Sequence, residues 1–133
     1  MGRIIFQREN CKPVVAPGER KLALELSRTR MSFASLANDA GEYVQVAGGP
    51  GLFLLERRGA DGAHYRASQD TPVVSHPDGT KMAFSGGSMT MAQRDWFLLR
   101  QVTEVFVAFA ESRGWPSYVH WNQVQLHALA RTV

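Results

Sequence analysis

An α+β fold, an antiparallel β-meander packed against one long C-terminal helix that is followed by a strand, is predicted by three observations on this 133-residue chain. Short β-prone segments between residues 42 and 68 are separated by glycine-rich turns. A long apolar stripe at helical spacing follows Thr90. A Gly-Trp-Pro stop then precedes a last alternating segment. The length fits one domain, 1–133. A composition of 44% hydrophobic and 20% charged residues excludes wholesale disorder and collagen-like or repeat-array architectures.

Taken in order, Arg3, Ile4, Ile5, Phe6 and Gln7 predict an edge strand, and Pro13, Pro17 and Gly18 mark the connection that completes an N-terminal arm over 1–18. Leu22, Leu24 and Leu26 have the period of two of a half-buried strand. A helical stripe through Leu22, Leu26, Phe33 and Leu36 competes; the strand is preferred, with a brief helix over 33–39 capped by Ser32. Residues 43–46 and 52–57 flank Gly48-Gly49-Pro50-Gly51 as a hairpin. Gly59-Ala60-Asp61-Gly62 turns into 64–68, its Asp-Gly pair suited to positive φ. Residues 69–90, with Pro72, Pro77, Asp78-Gly79 and Gly86-Gly87, read as loop-rich with one strand, the short apolar pieces being Val73-Val74 and Met82-Ala83-Phe84, and complete a meander over 19–89.

Thr90-Met91-Ala92-Gln93 has the form of a capping box and predicts a helix over 90–113. Its stripe of Leu98, Val102, Val105, Phe106 and Phe109 faces the sheet, while Gln93, Arg100, Glu104 and Glu111 face away. Gly114 is the expected left-handed C-cap and Pro116 the stop. In the terminal segment 117–133, alternation puts Val119 and Trp121 on one face of a strand over 117–121. Residues 124–128 alternate too, as strand or helical turn.

The formal net charge of +3 is unevenly spread. Residues 1–30 carry seven basic side chains against three acidic, whereas 39–81 carry six acidic against four basic. Phe6 is the one aromatic in the basic stretch, so the interleaving of charge and stacking rings expected of a nucleic-acid surface is missing, and a solvated basic arm is the preferred reading. No apolar run approaches the roughly 18 to 20 residues of a bilayer span, and the first six residues are too short for a secretory core. Phe6 stands where N-myristoylation needs Ser or Thr. A cytoplasmic location without a membrane partner is expected. Cys11, the single cysteine, excludes an intrachain disulfide and cysteine-rich zinc sites and fits a reducing compartment.

No catalytic, cofactor-binding or metal-binding residue is expected. His64, His76, His120 and His127 show no metal-ligand spacing. The glycines at 48–51 lack the lysine of a phosphate-cradling loop, and no serine sits in a nucleophile elbow. Cys11 has Lys12 beside it but no identifiable base. Asp95, Glu104 and Glu111 read as carboxylates solvating a helix rather than an acid–base pair. Of the aromatic group Trp96, Trp115, Tyr118 and Trp121, the first and last read as core. Trp115, in the turn after the helix, is the candidate for exposure to a partner.

The run Ser88-Met89-Thr90, the helix ending Phe106-Val107-Ala108-Phe109-Ala110, and Gly114-Trp115-Pro116-Ser117-Tyr118-Val119-His120-Trp121 together resemble the immunity protein one family of bacterial polymorphic toxin systems. Gly114, Pro116 and Trp121 match that family's helix, Gly-x-Pro turn and strand ending in Trp, and the resemblance covers about residues 42–121. It implies a small cytoplasmic α+β protein that protects its producer by stoichiometric binding to a cognate toxin, often a nucleic-acid deaminase or another secreted effector, with no cofactor and no turnover. The chain departs from the acidic character frequent among inhibitors of basic toxins. The expected contact residues are therefore those of the acidic meander, Glu56, Asp61, Tyr65, Asp70 and Asp78, with Trp115 and Tyr118 as aromatic anchors. The alternatives are a nucleic-acid or anionic-surface binder using the basic arm, and an enzyme of undetermined class betrayed by convergence on His64, His76 or His120. Oligomeric state is not readable from the sequence.

Overall fold

The computed structural model describes residues 3–124. Strands β1 (Ile4–Arg8) and β2 (Val14–Val15) precede helix α1 (Glu19–Ser27), and β3 (Ser32–Asn38), β4 (Tyr43–Gly48), β5 (Leu52–Arg58) and β6 (His64–Ser68) follow as an antiparallel meander. A separate hairpin of β7 (Thr80–Phe84) and β8 (Gly87–Met91) leads through a 3-10 turn at Gln93–Asp95 to β9 (Phe97–Leu98), helix α2 (Leu99–Ala110) and β10 (His120–Val124). The large sheet runs β10-β6-β5-β4-β3-β1-β2, with β9 also paired to β5. The class is thus α+β with an antiparallel sheet and two helices.

Period-two alternation sorts the side chains of the large sheet. Leu36, Val44, Val46, Phe53 and Leu55 point to the face covered by α1 and α2, where Leu22, Leu26, Val102, Val105 and Phe106 complete a core. Phe33, Ala47 and Leu54 point to the opposite face, where the β7–β8 hairpin adds Met82, Phe84 and Met91, and Trp96 closes a second cluster. At about 1.5–3 kcal/mol for each large apolar side chain fully buried, these two clusters account for why the helices and the hairpin lie where they do.

Several expected elements are displaced. Residues 21–27 form a helix and 32–38 a strand, the reverse of the predicted order. Leu22 and Leu26, four apart, are fully buried, while Leu24 is 45% exposed, so the operative period is 3.6. Glu25 between them is buried because Arg8 reaches it from β1 at 2.8 Å and Lys21 from one turn earlier at 3.1 Å. The helix over 90–113 shrinks to α2. Thr90 pairs with Lys81 inside the β7–β8 hairpin, and Phe97 and Leu98 extend β5 opposite Phe53 and Leu52. Long-range pairing overrides a local capping pattern there. The N-terminus of α2 is satisfied differently: Leu98 N–H donates to Gln101 Oε1 at 3.0 Å, and Leu99 N–H to the Gly51 carbonyl at 3.1 Å.

At its other end, Ser112 and not Gly114 takes the left-handed conformation, with φ of 53°. Ser112 N–H donates to the Phe109 carbonyl and Arg113 N–H to that of Ala108, the two bonds of a Schellman stop. The last strand begins at His120, since Val119 N–H closes a turn onto the Pro116 carbonyl. Strand β1 is interior, because β2 pairs along its outer side. The alternation at 124–128 falls, beyond Val124, outside the described residues.

In the β4–β5 turn, a Cβ on Gly49 would stand 1.9 Å from the Thr29 carbonyl oxygen, whereas one on Gly51 would meet nothing within 4 Å; both glycines have positive φ. Gly49→Ala should therefore destabilise by more than about 3 kcal/mol and Gly51→Ala by about 1 kcal/mol, read from urea unfolding midpoints. The Arg8 guanidinium, ahead of Lys21, holds the Glu25 carboxyl below its usual range against the opposing effect of burial. That depression stabilises the fold above the ordinary carboxylate range, and the stabilisation fades as acid protonates Glu25 in the folded state. Glu25→Gln should cost about 3 kcal/mol at neutral pH, and the gap to the parent protein should narrow steadily on acidification.

Candidate functional site

Strand register builds one concentrated site. Arg57 on β5 lies opposite Tyr65 on β6, and β10 brings Trp121 opposite Ala67 on the next row of the same, helix-facing side. The turn after α2 adds Trp115. The Arg57 guanidinium carbon stands 4.3 Å from the Tyr65 ring centre, 5.0 Å from that of Trp121 and 5.5 Å from that of Trp115. Trp115 and Trp121 meet edge to face at 5.2 Å, and Phe109 from the last turn of α2 stacks on Trp115 at 6.5 Å. All five side chains are half-buried at the rim of the main core. Each cation–π contact contributes about 0.5–2 kcal/mol depending on desolvation.

The group is electrostatically incomplete. Among the described residues Arg57 forms no ion pair, and its buried Nε–H has no acceptor. Among the described residues the buried indole N–H of Trp121 has none either, as is also true of Trp96 in the second cluster. A native fold rarely leaves such donors unpaired, because each costs about 1–3 kcal/mol. Beside the cluster opens a cleft of about 240 Å³ between the β3–β4 turn and the end of α2; its charged walls are Arg57, Arg58 and Arg113 against Glu42. Glu42 already accepts from Asn38 Nδ2 at 2.9 Å, and Arg113 pairs with Glu111. Tyr43 also lines the cleft; burial pushes its phenol above the usual range, with Arg58 opposing, so it stays a neutral hydroxyl.

Of the residues expected from sequence, Tyr65 and Trp115 are brought together here. Glu56 is not available: it is 3% exposed on the opposite face of the sheet, held by Arg66 at 3.0 Å and by Gln45 at 3.2 Å. The exposed acids are scattered. Asp61 accepts from Ala63 N–H within the β5–β6 turn, and Asp70, beyond the other end of β6, pairs with His120 at 3.0 Å. Asp78 accepts from Gln93 N–H beside the small hairpin. No acidic face is assembled from them. Tyr118 lies against α2, its hydroxyl donating to the Gln101 carbonyl at 3.2 Å, and burial, reinforced by Glu104, pushes its phenol well above the usual range.

Arg57, Trp121 and Phe109 were not singled out by sequence pattern as parts of a site. The signal lay in pairing, since Arg57 interrupts the apolar run of β5 on its core-facing side. Trp121 was expected in the core and instead stands half-buried at its rim. Trp96 is in the core, 5% exposed, with His76 at 5.1 Å. His64 approaches Tyr43 and His120 approaches Asp70, so the described histidines lie in separate surroundings, and His127 is outside the described residues. The basic N-terminal residues do not form a free arm: Arg8, Lys21 and Arg28 converge on Glu25. Among the described residues no helix is long and apolar enough to cross a membrane. A larger trough of about 660 Å³ runs between α1 and α2, past Pro116, but its charged walls are balanced, Glu19 and Glu104 against Arg100 and Arg113, and its lining includes none of the unpartnered buried donors.

Comparison with known protein families, with curated proteins and with solved structures finds no match.

Arg57 is the one charged member of an otherwise aromatic group, so Arg57→Met should leave stability unchanged or raise it by about 1 kcal/mol. Arg66→Met, which strands the buried Glu56 carboxylate, should cost about 3 kcal/mol. Chemical denaturation of the two variants side by side checks the contrast, and a large loss in Arg57→Met would show that the cluster is structural.

Proposed function

We propose that this chain is an immunity protein that binds a cognate bacterial toxin one to one and blocks it without turnover, using the Trp115, Trp121 and Tyr65 cluster around Arg57 as its contact face. The observation that carries this reading is the composition and placement of that cluster. Binding energy at protein interfaces concentrates in Trp, Tyr and Arg side chains held in a packed frame. Here three such rings and an arginine with unmet hydrogen-bonding capacity stand half-exposed at one rim, positioned by sheet register and by the Schellman stop of α2. The sequence resemblance through Gly114, Pro116 and Trp121 supports the same reading, because those residues build the turn and strand that carry two of the rings.

The contact face differs from the acidic meander surface expected from sequence. Glu56 is consumed inside the sheet, and the remaining acids serve turns and a strand-edge contact with His120.

Co-expression with the product of the adjacent gene tests the proposal. A one-to-one complex that suppresses the partner's toxicity is expected, with Trp115→Ala weakening it by about 2 kcal/mol or more while the fold is retained. Absence of a complex, or full affinity in Trp115→Ala and Trp121→Ala alike, would overturn the proposal or its assignment of the face.

A further inference from the structure

We infer that the cleft beside Arg57 is a carboxylate site, filled in the complex by an acidic side chain of the bound partner; this rests on the reading above for the identity of the partner but not for the existence of the site. Three guanidiniums face one carboxylate across the cleft, and that carboxylate is engaged by Asn38. Arg113 has Glu111, but Arg57 and Arg58 have no counter-charge among the described residues. Around Arg57 the protein supplies π faces, and among the described residues its buried Nε–H and the indole N–H of Trp121, whose ring lies 5.0 Å from the guanidinium behind the cleft, have no acceptors.

The cleft therefore carries an excess of positive charge. A carboxylate balances it, and its two oxygens match the fork geometry of a guanidinium. The flanking Trp115 and Phe109 would shield the ion pair from water, which strengthens it relative to an exposed pair. The cleft is too small for a folded element and large enough for one acidic side chain. The partner's contact surface is accordingly acidic at this point, which also fits the net charge of +3 on this chain.

The test uses the full chain labelled with 15N and titrated with glutarate, with sodium chloride at matched ionic strength as reference and inorganic phosphate as a third arm. Saturable shifts of the Arg57 Nε–H and Trp121 indole N–H resonances with glutarate are expected. In Arg57→Met the Trp121 response should be lost, and in Arg94→Met, remote from the cleft, it should persist. Shifts no larger than those with chloride, or a stronger saturable response to phosphate than to glutarate, would overturn the inference. With the partner in hand, Arg57→Met should weaken the complex about thirtyfold or more. Unchanged affinity there removes the acidic anchor and leaves the immunity reading standing. Glutarate binding without any neutralised toxin removes the immunity reading and leaves the site.

Discussion

Strand β5 divides one of its edges between two partners, and much of the molecule depends on that division. Its other edge is paired with β4 along six consecutive positions. On the divided edge, Glu56, Arg57 and Arg58 pair with β6, while Leu52 and Phe53 pair with β9, some forty residues further along the chain. The chain must therefore leave the sheet after β6 and return before α2. The excursion it makes supplies the β7–β8 hairpin that covers the second face. A reciprocal amide pair fixes the two ends of the excursion: Gln69 Nε2 donates to Gln101 Oε1, Gln101 Nε2 to Gln69 Oε1 at 2.9 Å, and Gln69 also holds the Trp96 carbonyl. With α2 anchored there, its far end delivers Phe109 and Trp115 to the row occupied by Arg57.

Two arginines on neighbouring strands show how differently this sheet treats charge. Arg66 spends its guanidinium on Glu56 in a close pair that lets a carboxylate lie under the polar face. Arg57, one residue along from Glu56 and therefore on the other face, has rings for company and, among the described residues, no ion pair. The first arrangement is self-contained. The second is stable enough to fold and chemically unfinished, which is the pattern expected where a protein keeps a group for an encounter with another molecule.

The meander and its two glycine turns were legible in the sequence because both signals are local: alternation over five to seven residues, and glycines where positive φ is needed, as at Gly49 and Gly62. The errors arise where local and distant preferences disagree. Leu22, Leu24 and Leu26 satisfy a strand pattern, but Glu25 finds Arg8 only if the segment is helical and beside β1. Thr90 and Gln93 have the side chains of a helix start, yet the partners of residues 87–98 lie at 80–84 and 52–53. For the site, Tyr65 and Trp115 could be named from composition alone. Arg57 could not, since its place among aromatic rings is a property of register and not of neighbours in sequence.

Strand β10, which carries Trp121, is an edge: among the described residues it pairs with β6 alone. A strand held on one side opens by local fluctuation at a free energy below that of global unfolding, whereas β5, paired on both sides, opens only with the fold. The cluster thus joins a strand held on both sides to one of the more easily released. Any molecule that binds across both raises the opening free energy of β10. Amide hydrogen exchange along 120–124 would then report occupancy of the site through the kinetics of the backbone.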